Sequence, residues 1–230
     1  MKRIVLTLLG LLMSLPSSAS IADGIQAYHE GNFAIALKEF RSASLRGSPE
    51  GKHLLASLYY EGHGVPRDLA KAVQLFSEAG EAGYAPSLAN LALMYSKGDG
   101  VTRDPGKAFT YAQRAADAGD VQSQFNLAQS YRRGDVVPQD HSKAAYWYKK
   151  AAESGSLSAQ NEYGLLFAQG HGVALDYVQA YAWISMPSSA GNPQSKKNID
   201  QLLQILSPVQ LAQARQLASE YASKYGMQKP

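Results

Sequence analysis

The chain has 230 residues, 45% hydrophobic and 18% charged, a globular balance that excludes a disordered polar polypeptide. Its 22 Lys and Arg against 19 Asp and Glu leave a net charge of +3, too small an electrostatic footprint for nucleic acid or an anionic membrane surface. There is no cysteine, which excludes disulfides and thiol chemistry together.

Residues 1–22 read as an export signal. Lys2 and Arg3 form a basic start, Ile4 to Leu15 an apolar stretch, and Leu15-Pro16-Ser17-Ser18-Ala19-Ser20 a small-residue exit. Cleavage can follow Ala19 or Ala22, each with serine at −3. The apolar run is about half of the roughly 20 residues a membrane-spanning helix needs. The mature chain is therefore expected to be periplasmic or secreted, without a membrane span, and held together by packing alone. Residues 23–47 then read as a short capping hairpin, in which Ala27 precedes the turn Gly31-Asn32-Phe33 and Ala36, Phe40 and Ala43 follow at helical spacing.

From there a pattern repeats four times at 36 residues, over 48–83, 84–119, 120–155 and 156–191. Tyr59, Tyr95, Tyr131 and Phe167 lie in register, as do Gly62, Gly98, Gly134 and Gly170, and Asp68, Asp104, Asp140 and Asp176. Ala72, Ala108, Ala144 and Ala180 follow, and Gly83, Gly119, Gly155 and Gly191 close the units. A fixed period of this size marks an array of like supersecondary units. In the first, Leu55, Ala56 and Tyr59 make one stripe of a helix that Gly62 ends, glycine tolerating the left-handed conformation beyond a helix C-terminus. Asp68 is placed to cap a second helix, whose buried face is Ala72, Leu75, Phe76 and Ala79. The alanines let antiparallel helices approach closely, and stacking of neighbouring pairs completes a core that one pair cannot bury.

The C-terminal stretch, 192–230, departs from the pattern. Pro187 stands where Ala79, Ala115 and Ala151 stood, which predicts early termination of the last second helix. Ile199, Leu202, Leu203 and Leu206 suggest a further helix, and Ser207-Pro208 opens a terminal one with Leu211, Ala214, Leu217, Ala218 and Tyr221 on one face.

The units GKHLLASLYYEGHGVPRDLAKAVQLFSEAGEAG and SQFNLAQSYRRGDVVPQDHSKAAYWYKKAAESG resemble Sel1-like repeats, a tetratricopeptide variant with a longer inter-helix loop. The first hairpin resembles a plain tetratricopeptide unit, and LSPVQLAQARQLASEY the closing helix of exported bacterial members. The chain departs locally: Val136 replaces the second loop glycine, Gln179 the lysine, and Gly51 and Ser87 the opening alanine. The resemblance implies an all-α, right-handed solenoid of antiparallel helix pairs with a concave groove, serving as an adaptor in protein complexes. Exported relatives are implicated in envelope or host-cell interactions.

If that geometry carries over, the groove is lined by first-helix residues: Tyr28 and His29; His53, Ser57, Tyr60 and Glu61; Leu93 and Lys97; Gln129, Arg132 and Arg133; Asn161 and Gln169. Arg132 and Arg133 are the expected carboxylate readers, because guanidinium forks match carboxylates, and Tyr60 is the expected aromatic anchor. His63 and His171 occupy equivalent loop positions three units apart, too far to share a metal, and His29, His53 and His141 are expected to be single and exposed. No G-x-S-x-G, H-E-x-x-H or G-x-x-x-x-G-K-[ST] occurs. Asp99 with Asp104, and Asp135 with Asp140, make carboxylate pairs, but the second of each is more simply a helix cap. The expectation is a monomeric, non-enzymatic module without cofactor or metal, binding a protein or peptide partner. The competing readings are an enzyme acting on cell-wall or β-lactam material, suggested by cysteine-rich exported relatives, and a regulator of an envelope enzyme.

Overall fold

The structure, a computed structural model, describes residues 20–226. The export signal expected over 1–22 therefore lies almost wholly outside the described residues. Only its last residues are seen: Ser20 caps the first helix by accepting the Asp23 N–H, and Ile21 begins that helix.

All regular structure among the described residues is helical, in order α1 (Ile21–His29), α2 (Phe33–Leu45), α3 (Pro49–Glu61), α4 (Leu69–Glu81), α5 (Ala85–Lys97), α6 (Pro105–Asp117), α7 (Val121–Arg133), α8 (His141–Glu153), α9 (Leu157–Gln169), α10 (Tyr177–Ser189), α11 (Pro193–Ile205) and α12 (Pro208–Tyr225). Each helix from α1 to α11 packs on its chain neighbours, as a solenoid of helix pairs requires. No helix among the described residues is long and apolar enough to cross a membrane.

Local chemistry sets the period. Asp68, Asp104 and Asp140 each accept the N–H three residues on at 2.9 Å, and Asp176 accepts from Val178 and Gln179. Gly62, Gly98, Gly134 and Gly170 end the first helices in the left-handed region, with φ of 79°, 86°, 72° and 66°. Ala56, Ala72, Ala79, Ala115, Ala128, Ala144, Ala151 and Ala180 are wholly buried where the helices cross.

Consecutive units interlock through the second loop glycine. A Cβ on Gly64, Gly100 or Gly172 would collide with Phe33, Leu69 or His141, the first residue of the preceding unit's second helix. Val136 holds that position in the third unit, and no non-glycine residue among those described has positive φ. Its loop runs differently: Val136 is half exposed and lines, with Pro105, an open cavity between α5, α6 and α7. The apolar core divides at the same place, one cluster running from α1 to Tyr111 of α6 and the next from Phe109 and Ala116 of α6 to α12.

Pro187 does not end α10 early. The helix runs on to Ser189, because the proline falls in the last turn and removes a single intrahelical donor there. Its ring is fully buried, filling the space that alanine has in the earlier units. The terminal helix α12 doubles back onto α10. Trp183 stacks with Tyr225 (5.3 Å) and tilts against Tyr221 (4.6 Å), while Tyr221 Oη donates to Gln179 at 2.8 Å.

Candidate partner-binding groove

Three cavities lie in a row along the first-helix face. One of about 280 Å³ between α1 and α3 is lined by Ile25, Tyr28, Leu54, Ser57 and Glu61. The next, about 120 Å³ between α3 and α5, shares Ser57 and Glu61 with the first and adds Tyr60, Asn90 and Leu93. The third, about 480 Å³, shares Asn90 and Leu93 and continues over Ser96, Phe109, Asn126, Leu127 and Ser130 to Val136. Shared lining residues set the three side by side as one row. Its floor is apolar, and its rim carries hydroxyls and amides, the composition of a peptide or small-molecule site.

The N-terminal end of the groove is tied together by polar contacts across units. Tyr28 Oη donates to Glu61 Oε2 at 2.6 Å and lies 3.3 Å from His63 Nδ1. The hydrogen bond to the Glu61 carboxylate, with burial and the adjacent negative charge, pushes the Tyr28 phenol up to about 12. His63 Nδ1 stands 3.1 Å from the same carboxylate oxygen, and its ring stacks on Phe33 at 4.3 Å. Tyr60 Oη donates to Asp99 at 3.0 Å, and burial followed by that bond raises its pKa. Tyr28, Tyr60 and Glu61 are thus both groove walls and links between units.

Other expected groove residues are placed differently. His53 is turned toward the next unit: its ring is half-buried, Nδ1 lies 3.0 Å from Ser87 Oγ, and Phe76 and Tyr84 pack against it. Burial lowers its pKa to about 4, so it is a neutral packing residue rather than an exposed surface imidazole. Asn161, in the same register three units on, is also buried, accepting from Ser195 Oγ at 2.8 Å and from Asn198 at 3.1 Å. His141, expected to be single, stacks on His171 at 4.8 Å, and His171 and His63 sit in separate junctions. Arg132 is half-buried, with its guanidinium 3.8 Å from Glu162. Arg133 is exposed beside Asp135 at 3.2 Å and donates to Gln129 at 3.3 Å. Lys97 and Gln169 are exposed, one near the groove's middle units and one at the end of α9.

Leu54, Asn90 and Asn126 were not singled out by the sequence, although they lie in mutual register and line the groove. Their signal was present: each sits three residues before Ser57, Leu93 or Gln129 on the same helical stripe. No group of three or more His, Asp or Glu among the described residues is arranged to hold a metal ion.

A family model described as the Sel1 repeat matches residues 49–84, 85–120, 121–156 and 157–192. The chain belongs to the Sel1 repeat family. Sel1 repeat proteins are in general protein-interaction modules. Among curated proteins none matches the sequence. Among solved structures, the chain is similar to a protective antigen of uropathogenic Escherichia coli with an SLR fold, at 33% identity over 84% of this chain and 42% of that one, with a TM-score of 0.68. It is likewise similar to a Sel1 repeat protein of Oxalobacter formigenes, at 33% identity over 73% of this chain and 49% of that one, with a TM-score of 0.70. The chain therefore spans less than half the length of each, and both support the solenoid of Sel1 units.

Proposed function

We propose that this Sel1 repeat chain is a non-enzymatic adaptor, exported to the periplasm or beyond, that holds an extended segment of a partner protein in the groove along α1, α3, α5 and α7. The observation that carries this reading is a row of adjoining cavities: three of them share lining residues at Ser57, Glu61, Asn90 and Leu93 across four consecutive first helices. Such a surface is ordered by folding itself, so a partner would meet it without a further ordering cost on this side. Selectivity would then come from a few anchors, with Tyr60 and the half-exposed Leu93 as the apolar pair.

A photo-crosslinking residue at Leu93 tests the reading in intact cells against one at Gln113, an exposed position on the second helix α6. A discrete adduct with one protein is expected from position 93 and not from 113. Adducts from 113 alone would move the binding surface to the opposite side of the solenoid.

A further inference from the structure

We infer that the occupant of this groove carries a basic side chain beside Glu61 and an apolar side chain about three to five residues away, in the cavity between α5, α6 and α7. The inference rests on the groove reading above and adds the chemistry of the partner.

Charge comes first. Among the residues lining the three cavities, the charged ones are carboxylates, Glu61 in the first two and Asp120 in the third, with His29 and the phenols of Tyr28 and Tyr60 the other titratable groups. Asp120 is already engaged, its Oδ1 accepting the Ser123 N–H at 2.7 Å as a helix cap. Glu61 is different. Its Oε2 receives Tyr28 and faces His63, while Oε1 has no partner among the described residues. That oxygen belongs to a carboxylate about 40% exposed and shared by two cavities. Nearby, Asp99 adds a second negative charge through its bond to Tyr60. Of the cations on this side, Arg67 lies over the Tyr60 ring and donates to the Tyr60 carbonyl and Arg132 faces Glu162, while Lys97, one repeat on from Glu61, is exposed and lines none of the three cavities. The basic pair expected to read carboxylates does not line the groove cavities, so the electrostatic sense of the site is the reverse of the sequence expectation.

Spacing comes second. The α5–α7 cavity is the largest of the three and is walled by Ala92, Leu93, Ala108, Phe109 and Leu127. Neighbouring helices stand about 8–10 Å apart. An extended chain advances about 3.3 Å per residue. The large cavity lies beyond α5, about one and a half such steps from Glu61, so side chains at the two places are about three to five residues apart.

The test pans phage-displayed random dodecapeptides on the full chain and remakes the enriched peptides for fluorescence anisotropy. Lys or Arg about three to five residues from Leu, Ile, Met or Phe is expected in the enriched set. Replacing that Lys by Gln, or Glu61→Gln in the protein, should weaken binding roughly fivefold, with little further loss when both are changed, and added salt should weaken it too. Peptides rich in Asp or Glu, or peptides whose affinity ignores Glu61→Gln, would overturn the inference. The groove reading has its own control in Leu93→Arg, which blocks the apolar wall at an exposed position. Peptides that lose binding on Leu93→Arg but not on Glu61→Gln leave the groove standing and remove the basic anchor. Enrichment of no peptide, or binding untouched by Leu93→Arg, removes both.

Discussion

His53 Nδ1 lies 3.0 Å from Ser87 Oγ, joining α3 to α5 across the first junction between Sel1 units. The same register position in the fourth unit is Asn161, which meets Ser195 in the same way. One site in the repeat thus serves as a polar rivet between first helices, filled by an imidazole at one end of the solenoid and an amide at the other. The imidazole makes the rivet pH-sensitive. Its pKa is about 4 when folded, held down by burial, against an ordinary 6.5. Between those values the unfolded chain binds the extra proton, so the contribution is complete above pH 6.5 and is lost as pH falls toward 4. A fully buried ring would make this about 3 kcal/mol; solvent reaches part of His53, which reduces it to about 1–2 kcal/mol. Denaturant unfolding at about pH 7 and pH 4.5 should show that loss in the natural chain and a smaller one in His53→Asn, which keeps a partner for Ser87. Parallel losses in the two proteins would assign the acid sensitivity to other groups.

The second loop position holds glycine in the three units where a Cβ would collide and valine in the one whose loop runs differently. Gly172 has φ of +74°, and a Cβ there would meet the His141 carbonyl at the start of α8. Gly172→Ala should cost about 2–3 kcal/mol, from the left-handed backbone together with the displaced contact. Val136 occupies the equivalent position with negative φ and half its surface exposed, so Val136→Ala should stay within about 0.5 kcal/mol. Thermal melts of the two variants side by side decide it. Equal shifts would mean that the glycine contact does not set unit spacing.

Gly164 is a glycine of another sort, inside α9 where the earlier units have Ala56, Ala92 and Ala128. A Cβ on it would come within 2.5 Å of Ile184 Cγ1 and 3.0 Å of the Ala180 carbonyl oxygen. Gly164→Ala should therefore destabilise by about 1–3 kcal/mol, despite the better helix propensity of alanine. Ile184→Ala removes both Cγ1 and Cδ1, so its own cost should be smaller when measured beside Gly164→Ala than in the natural chain, because the side-chain clash is relieved and only the carbonyl contact stays. Equal costs in the two backgrounds would place the strain entirely on the backbone.

Much of this fold was legible because its signals are local. An aspartate cap at Asp68, Asp104, Asp140 and Asp176 and a left-handed glycine after each first helix need only a few neighbouring residues to work, so they recur unchanged. What the sequence hid depends on the adjacent unit. Whether register position 53 faces solvent or Ser87 is decided by the serine that the next unit brings, and Asn161 turns inward for the same reason. Pro187 reads as a helix breaker in isolation, yet it is accommodated in the final turn of α10. The groove was legible as a stripe but not as cavities, since the volume between α5 and α7 follows from how Val136 and Pro105 fail to interlock.

Ser20 ties the expected export signal to the folded body. It accepts the Asp23 N–H at 3.0 Å and its carbonyl takes the Gly24 N–H, so it is the N-cap of α1. Cleavage after Ala19 would leave that cap in place, whereas cleavage after Ala22 would remove it along with Ile21 and Ala22, at a cost of about 1 kcal/mol for the lost cap. N-terminal sequencing of protein recovered from the periplasm or medium should begin at Ser20. A start at Asp23 would mean that α1 loses its cap on export, and recovery of the chain only from inside the cell, with Met1 intact, would set aside the export proposal.

Arg132 and Arg133 are adjacent in sequence and should respond oppositely to charge reversal. Arg132 is half-buried against Glu162, its Nε sits buried without a hydrogen-bond partner, and its charge lies beside the buried Tyr148, whose phenol burial pushes up to about 12. Arg132→Glu would set two carboxylates against each other in that setting and should cost about 1–3 kcal/mol of stability. Arg133, exposed beside Asp135, should tolerate Arg133→Glu within about 0.5 kcal/mol. Peptide binding measured on Arg133→Glu therefore reports on the surface alone, while a loss on Arg132→Glu mixes binding with folding. If Arg133→Glu melts like the parent and weakens binding of the basic peptides, this arginine touches the occupant beyond the α5–α7 cavity. If it strengthens binding, Arg133 acts only as a distant like charge, as the acidic character of the groove around Glu61 requires.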